Sequence, residues 1–178
     1  MTMWKVAMAI LLAVVPVGPI LAQDEDLSSR IVNDPGNPKV DGARASLRSD
    51  PKVQGGKALR IDVERKGAHP WDASVGGDVL KAVKAGDRLV LVFSARLEKG
   101  EKGATVATLP YAAVQLAAAP YSSIINDGAE IGPAWKTVQI AGKSDKDYPA
   151  GALKVTIQLA TARQTVDFGP IVLLDMGQ

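Results

Sequence analysis

Hydrophobic residues at every second position, again and again along the chain, constrain this sequence more than any other feature. Leu59, Ile61 and Val63 alternate with Arg60, Asp62 and Glu64; Leu153, Val155, Ile157 and Leu159 alternate with Lys154, Thr156 and Gln158. Successive side chains of a β-strand leave opposite sides of the pleat, so this period marks a strand with one buried and one wet face. Arg88–Arg96 puts Leu89, Leu91 and Phe93 on one side and Val90, Val92 and Ser94 on the other, which predicts a central strand. Thr165–Asp175 is apolar but broken by Gly169-Pro170, which predicts a strand with a bulge or bend. Turn residues at Asn33-Asp34-Pro35-Gly36-Asn37-Pro38, Asp50-Pro51 and Gly55-Gly56 frame short strands expected near Leu27–Val32 and Ala43–Leu47.

Helical signals are few. Asp78–Ala85 has helix-compatible spacing, but Gly76-Gly77 and Gly86-Asp87 leave it only a turn or two. Ala112–Ala119 could propagate a helix on propensity alone, yet Pro110 and Pro120 bracket it. Its alternation of Tyr111, Ala113 and Gln115 against Ala112, Val114 and Leu116 fits a strand, and the neighbouring strands decide for β. Many short strands joined by Gly, Pro, Asn and Asp turns make the expected fold all-β: an antiparallel β-sandwich of jelly-roll type.

The start of the chain reads as an export signal. Lys5 precedes an uncharged apolar run, Val6 to Val15, then Pro16, Gly18 and Pro19, and Leu21-Ala22 stands before Gln23 and the acidic Asp24-Glu25-Asp26. That order is a secretory signal peptide over residues 1–22, its apolar run short of the roughly 20 residues a bilayer span requires. Residues 23–178 then form one domain, exported to the periplasm or the exterior, with no stable membrane insertion after cleavage. There is no cysteine, so no disulfide framework, thiolate metal site or cysteine nucleophile is available. The 21 basic and 19 acidic residues nearly balance and are interspersed, as in Lys99-Gly100-Glu101-Lys102, which reads as a solvated loop. Such a balance gives no electrostatic footprint for nucleic acid.

Catalytic chemistry finds little to work with. His69 is the single histidine, in Gly67-Ala68-His69-Pro70, and reads as a loop residue at the start of a strand. Gly-x-Ser-x-Gly does not occur, nor does a phosphate-cradling glycine loop ending in Lys-Ser or Lys-Thr. Carboxylates are plentiful (Asp62, Glu64, Asp72, Asp78, Asp127, Glu130, Asp167). They fall in turns or on the polar side of alternating strands, where a solvated face is the expectation, and nothing singles out an acid and a nucleophile. The chain reads as a non-enzyme.

Aromatic residues are scarce, and each one carries information. Phe93 belongs to the central apolar strand and Trp135 opens another, so both read as packing residues. Tyr121 follows Pro120 beside Ser122 and Ser123, at a strand exit where an exposed ring is expected. Sugars offer a flat apolar face and a rim of hydroxyls, which proteins meet with aromatic planes and with amides or charges. Gly55-Gly56-Lys57-Ala58-Leu59-Arg60-Ile61, His69-Pro70-Trp71-Asp72-Ala73-Ser74-Val75 and Lys84-Ala85-Gly86-Asp87-Arg88-Leu89 together resemble family 4/9 carbohydrate-binding modules. Ala119-Pro120-Tyr121, Trp135-Lys136, Val155-Thr156-Ile157-Gln158-Leu159 and the closing Val166–Gly177 extend the resemblance over nearly all of residues 27–177.

The resemblance implies a jelly-roll sandwich that binds a β-glucan or xylan-type chain in a groove on one sheet. It places Tyr121 as the groove tyrosine and Gln158 as the groove amide. Strand parity agrees for Gln158, which points opposite to Ile157 and Leu159. Parity also gives Tyr111 and Gln115 a polar side, and puts Ser74 toward the groove where the family often has a longer amide. It groups Trp71 with Ala73 and Val75, on the core side, although Trp71 is also a candidate stacking platform. The family often carries a structural calcium between its terminal strands, for which Asp175 is the candidate ligand; no other cofactor is implied. Such modules usually accompany a glycoside hydrolase, here expected to act separately. The competing expectation is a structural or protein-interaction sandwich of the cell envelope, its groove lost to Ala and Ser.

Overall fold

The computed structural model describes residues 27–178; the expected signal peptide lies outside the described residues. The strands are β1 (Lys39–Asp41), β2 (Arg44–Ser49), β3 (Lys57–Val63), β4 (Ser74–Asp78), β5 (Arg88–Gly100), β6 (Ala107–Leu116), β7 (Ser123–Ile131), β8 (Lys136–Lys143), β9 (Leu153–Gln158) and β10 (Gln164–Asp175). They build two five-stranded sheets, β1-β4-β9-β6-β7 and β2-β3-β10-β5-β8. Every pairing within them is antiparallel. The fold is the expected antiparallel jelly-roll sandwich.

The alternating pattern decides which side chains meet between the sheets. Leu153, Val155 and Ile157 of β9 and Val75 of β4 point inward, as do Leu89, Leu91 and Phe93 of β5 and Val166 and Phe168 of β10. All are almost fully buried. The Phe93 and Phe168 rings pack tilted, centroids 6.0 Å apart; burying a side chain of this size contributes about 1.5–3 kcal/mol. The Gly169-Pro170 interruption is a bulge: the register of β10 against β5 shifts between Phe168 and Ile171. Gly169 sits tightly there: a Cβ would lie 3.1 Å from Val53 Cγ1 and 3.4 Å from Ser94 Cβ, so a larger residue requires those side chains to shift.

Two local expectations fail. Leu27–Val32 is not a strand but a 3-10 turn over Leu27–Arg30 followed by isolated bridges, Ile31 to Leu174 and Asn33 to Val79. Asn33 fixes this crossing between the sheets: its Nδ2 donates to the Ile171 carbonyl (2.9 Å) and its Oδ1 accepts from the Leu173 amide (2.8 Å). Asp78–Ala85 forms no helical turn. Val79 and Val83 are each 1 % exposed, and their amides donate across to the Leu153 and Tyr148 carbonyls. Burial of these two β-branched residues overrides the local helical spacing.

The outer face of the second sheet overturns the solvated reading of Asp167, whose side chain is 1 % exposed. Arg60 donates to it through Nε (2.8 Å) and Nη2 (3.0 Å), and Arg96 through Nη2 (2.8 Å) and Nε (3.1 Å). Glu98 bridges both guanidinium groups at 2.9 and 3.1 Å. Arg96 also lies over the Trp135 ring, 5.2 Å from its centroid, and the Trp135 indole donates to Asp50 (3.1 Å). Burial opposes ionisation of Asp167, but the hydrogen bonds from Arg60 and Arg96 outweigh it and hold its carboxyl below the usual range. Trp135 is half-buried against Arg96 and Asp50 on this outer face, outside the core between the sheets.

Candidate functional site

The first sheet turns an unusually mixed face to solvent, and cross-strand register defines it row by row. Ser74 of β4 pairs with Gln158 of β9, Gly76 with Thr156, and Asp78 with Lys154. On the other side of β9, Thr156 pairs with Ala113 of β6 and Lys154 with Gln115. Because Val75, Val155, Ile157 and Val114 are core residues, these partners lie on the opposite side of the sheet, where Thr156 (9 % exposed) and Ala113 (0 %) are nonetheless buried. The face therefore carries a track along β9 of Lys154, Thr156 and Gln158, about 13 Å long at the usual strand rise.

The loops beside the two ends of β9 each carry an exposed aromatic residue. Beyond Lys154 is Tyr121, in the loop between β6 and β7, with its side chain half in solvent (52 % exposed). The Lys154 ammonium sits 5.1 Å from its ring centroid, a cation–π contact that ties the ring to the track. Tyr121 has φ of +57°, and Lys102 is the only other non-glycine described residue with a positive φ. A left-handed tyrosine costs roughly 1–2 kcal/mol. The loop holds it by the Tyr121 amide donating to the Ala118 carbonyl (3.0 Å) and the Leu116 amide donating to the Ser122 carbonyl (2.9 Å). Strain of this kind concentrates where a side chain must be presented in a fixed direction.

Beyond Gln158 is Trp71. It is 59 % exposed, which corrects the parity that grouped it with Ala73 and Val75. The strand starts only at Ser74; Pro70–Asp72 is a 3-10 turn, where a period of two has no meaning. The Asp72 carboxylate closes that turn by accepting from the His69 amide (3.0 Å). The His69 and Trp71 rings stack, 4.4 Å apart and 11° from parallel. The turn is anchored beside Gln158, since the Ala160 amide donates to the Pro70 carbonyl (3.0 Å) and the Leu159 amide to the Ala73 carbonyl (2.8 Å). His69 is therefore a loop histidine whose ring is engaged with an indole.

The remaining candidates divide. Ser74 and Gln158 are cross-strand neighbours and both half-buried. Gln115 lies on the same face but is 8 % exposed. Tyr111 is half-buried where the register of β6 against β7 shifts between Leu109 and Ala112. Lys154 was not among the expected site residues, although the alternation that exposed Gln158 put it, like Thr156, on the same side.

Asp175 lies at the end of β10 beside Asp87. Burial pushes its carboxyl up, the Gly177 amide donating at 2.9 Å pulls it down, and the Asp87 carboxylate raises it again. Two adjacent carboxylates suit the charge of a hard cation, but calcium takes 6–8 oxygens. Among the described residues no group of three or more metal-ligating side chains gathers anywhere. The side chains thus make a partial fit, and further ligands would have to be backbone oxygens. Arg30, whose Nη1 donates to the Met176 carbonyl (3.0 Å), already brings a positive charge to Asp175.

No family model matches the chain, and no curated protein matches it. Solved structures do. A CBM4 module superposes with a TM-score of 0.59 at 18 % identity, covering 79 % of this chain and 96 % of its own. The N-terminal cellulose-binding domain of Cellulomonas fimi β-1,4-glucanase C gives 0.59 at 17 % identity, covering 83 % and 93 %. The CBM22-1 xylan-binding domain of Paenibacillus barcinonensis Xyn10C gives 0.57 at 11 % identity, covering 80 % and 87 %. At such identities the likeness is one of fold: this chain has the β-sandwich architecture of carbohydrate-binding modules of the cellulose- and xylan-binding kind.

Proposed function

We propose that the chain is a non-catalytic module that binds a single polysaccharide chain of β-glucan or xylan type along β9 on the outer face of the first sheet. What supports this reading is that Lys154, Ser74 and Gln158 share one side of the β4–β9 pair, with Tyr121 against Lys154 and the turn that carries exposed Trp71 bonded to the other end of β9. Exposed rings offer apolar planes to sugar faces, and the polar groups between them read hydroxyls. The centre is flat, because Gly76 and Ala113 leave no side chain to obstruct a linear ligand. Chemistry is not part of this reading. A glycoside hydrolase would act on the same polymer as a separate partner, outside the cytoplasm once residues 1–22 are removed. Among the described residues no helix is long and apolar enough to cross a membrane.

The same flat centre favours the second reading, a protein-interaction sandwich, since small residues permit close packing of another surface. Titration with xylan- and β-glucan-derived oligosaccharides separates the two. Saturable binding that weakens in Gln158→Ala supports the glycan reading, and no binding over both series rejects it. A calcium ion at Asp175 and Asp87 would serve structure rather than recognition; a rise in melting temperature in millimolar calcium over chelator tests it.

A further inference from the structure

A second polar cavity lies away from the track. It opens at the end of the second sheet where β3, β5 and β10 meet, with a volume of about 650 Å³, within the range of small-ligand sites. Register sets its floor: Asp62 of β3 pairs with Arg44 of β2 and with Thr165 of β10, and Thr165 pairs with Lys99 of β5. The rim comes from Lys102, in the turn after β5, and Arg163, before β10. Arg44 pairs with Glu64 (3.0 Å). Asp62, which accepts from Thr165 Oγ1 (2.7 Å), and Glu101 keep carboxylates without an ion pair among the described residues. Lys99, Lys102 and Arg163 have no ion pair among the described residues. Three unmatched cations thus converge on a concave site that also holds carboxylate acceptors.

That mixture defines the ligand. A polyphosphate or nucleic-acid strand would meet repulsion from Asp62, Glu64 and Glu101, which line the same cavity. A neutral sugar would leave the three cations unmatched. No aromatic ring lines the cavity, so stacking contributes nothing there. A sugar that carries one carboxylate among several hydroxyls satisfies both sets. Its carboxylate suits the planar fork of Arg163 and the ammonium groups of Lys99 and Lys102, and its hydroxyls donate to Asp62 and Glu64. Lys102 is held at φ +52° between Gly100 and Gly103, a strained presentation like that of Tyr121. We infer that this cavity is a second saccharide site, selective for uronic-acid units and separate from the track on the first sheet.

The test is calorimetric titration of the whole protein with a trisaccharide that carries a single uronic-acid unit and with a neutral trisaccharide of the same linkage. The expected result is saturable binding of the charged trimer only, weakened about fivefold or more in Arg163→Ala and in Lys102→Gly, which removes the cation and keeps the turn. Binding should fall when salt is raised to about 0.5 M, where screening shortens to a few ångströms, and should be unchanged in Tyr121→Ala. Arg163 and Lys102 are exposed, and urea melts matching the wild type confirm that neither variant is unfolded. Absent binding of the mono-uronate trimer, equal binding of the neutral trimer, tighter binding of tripolyphosphate, or loss in Tyr121→Ala would each overturn the inference. None of these results bears on whether xylan or β-glucan binds the track.

Discussion

Replacing Asp167 with alanine leaves two guanidinium groups facing each other on the outer face of the second sheet without their shared carboxylate. Removing one partner from a buried ion pair costs about 3–5 kcal/mol, because the remaining charge stays buried and unpaired. Here the lower end applies. Glu98 still contacts Arg60 and Arg96, and both arginine side chains keep some solvent, at 19 % and 26 % exposure. A loss of about 3 kcal/mol is therefore expected, a fall in Tm of roughly 6–12 °C for a domain of this size. Urea melts at neutral pH measure it directly. A triple change, Arg60→Met, Asp167→Leu and Arg96→Met, should return stability to near the wild-type value, since well-packed apolar residues often replace buried ions without loss.

The acid limb of the same experiment has a defined sign. The Asp167 carboxyl is lowered in the fold, so its contribution is complete above the ordinary aspartate value near 4. It is lost as pH falls below that value toward the lowered one. Wild-type stability should drop below about pH 4 more steeply than that of Asp167→Ala. A loss under about 1 kcal/mol in Asp167→Ala, with parallel acid profiles, would refute the view that this network is a buried, mutually dependent unit.

Three further outcomes follow from the same geometry. Tyr121→Ala should weaken oligosaccharide binding by about 2- to 13-fold, the worth of an aromatic contact, while stability changes little because the ring is half exposed; titration and a urea melt read both. Gly76→Ala should cost about 1–3 kcal/mol, because a Cβ there runs into the Val155 carbonyl across the β4–β9 pair; unfolding midpoints check it. Asp175→Asn should gain stability relative to the wild type as pH rises through the raised Asp175 value. Ionising that carboxyl costs the folded state more than the unfolded one, and melts from pH 4 to 7 report the sign.

The alternation of apolar residues made the sandwich legible, and it did so best where a strand has one wet face. In β3 and β9 the expected inward residues Ile61, Val63, Leu153, Val155 and Ile157 are buried, although Thr156 on the other side of β9 is buried too, and Gly169-Pro170 marked the bulge in β10. Legibility ended where long-range contacts choose the conformation. Val79 and Val83 look helical in isolation but are drawn to strands far away in sequence. Asn33 is bridged to Val79 through its backbone and to β10 through a side chain whose partners lie about 140 residues on. For the candidate site, parity identified the outward residues of β4, β6 and β9 but failed at Trp71, because a 3-10 turn precedes the strand. Asp167 was misread for a related reason: an outward position on a strand is usually wet, and only the three-dimensional neighbours Arg60 and Arg96 remove it from water.

Everything functional depends on the track along β9 being a ligand site. Affinity electrophoresis through gels of soluble xylan and β-glucan, run on wild type, Tyr121→Ala and Gln158→Ala side by side, measures this most directly. Retarded migration of the wild type in at least one gel, lost or sharply reduced in both variants, is the predicted result. Migration unaffected by either polymer, or retardation undiminished in the two variants, would contradict it.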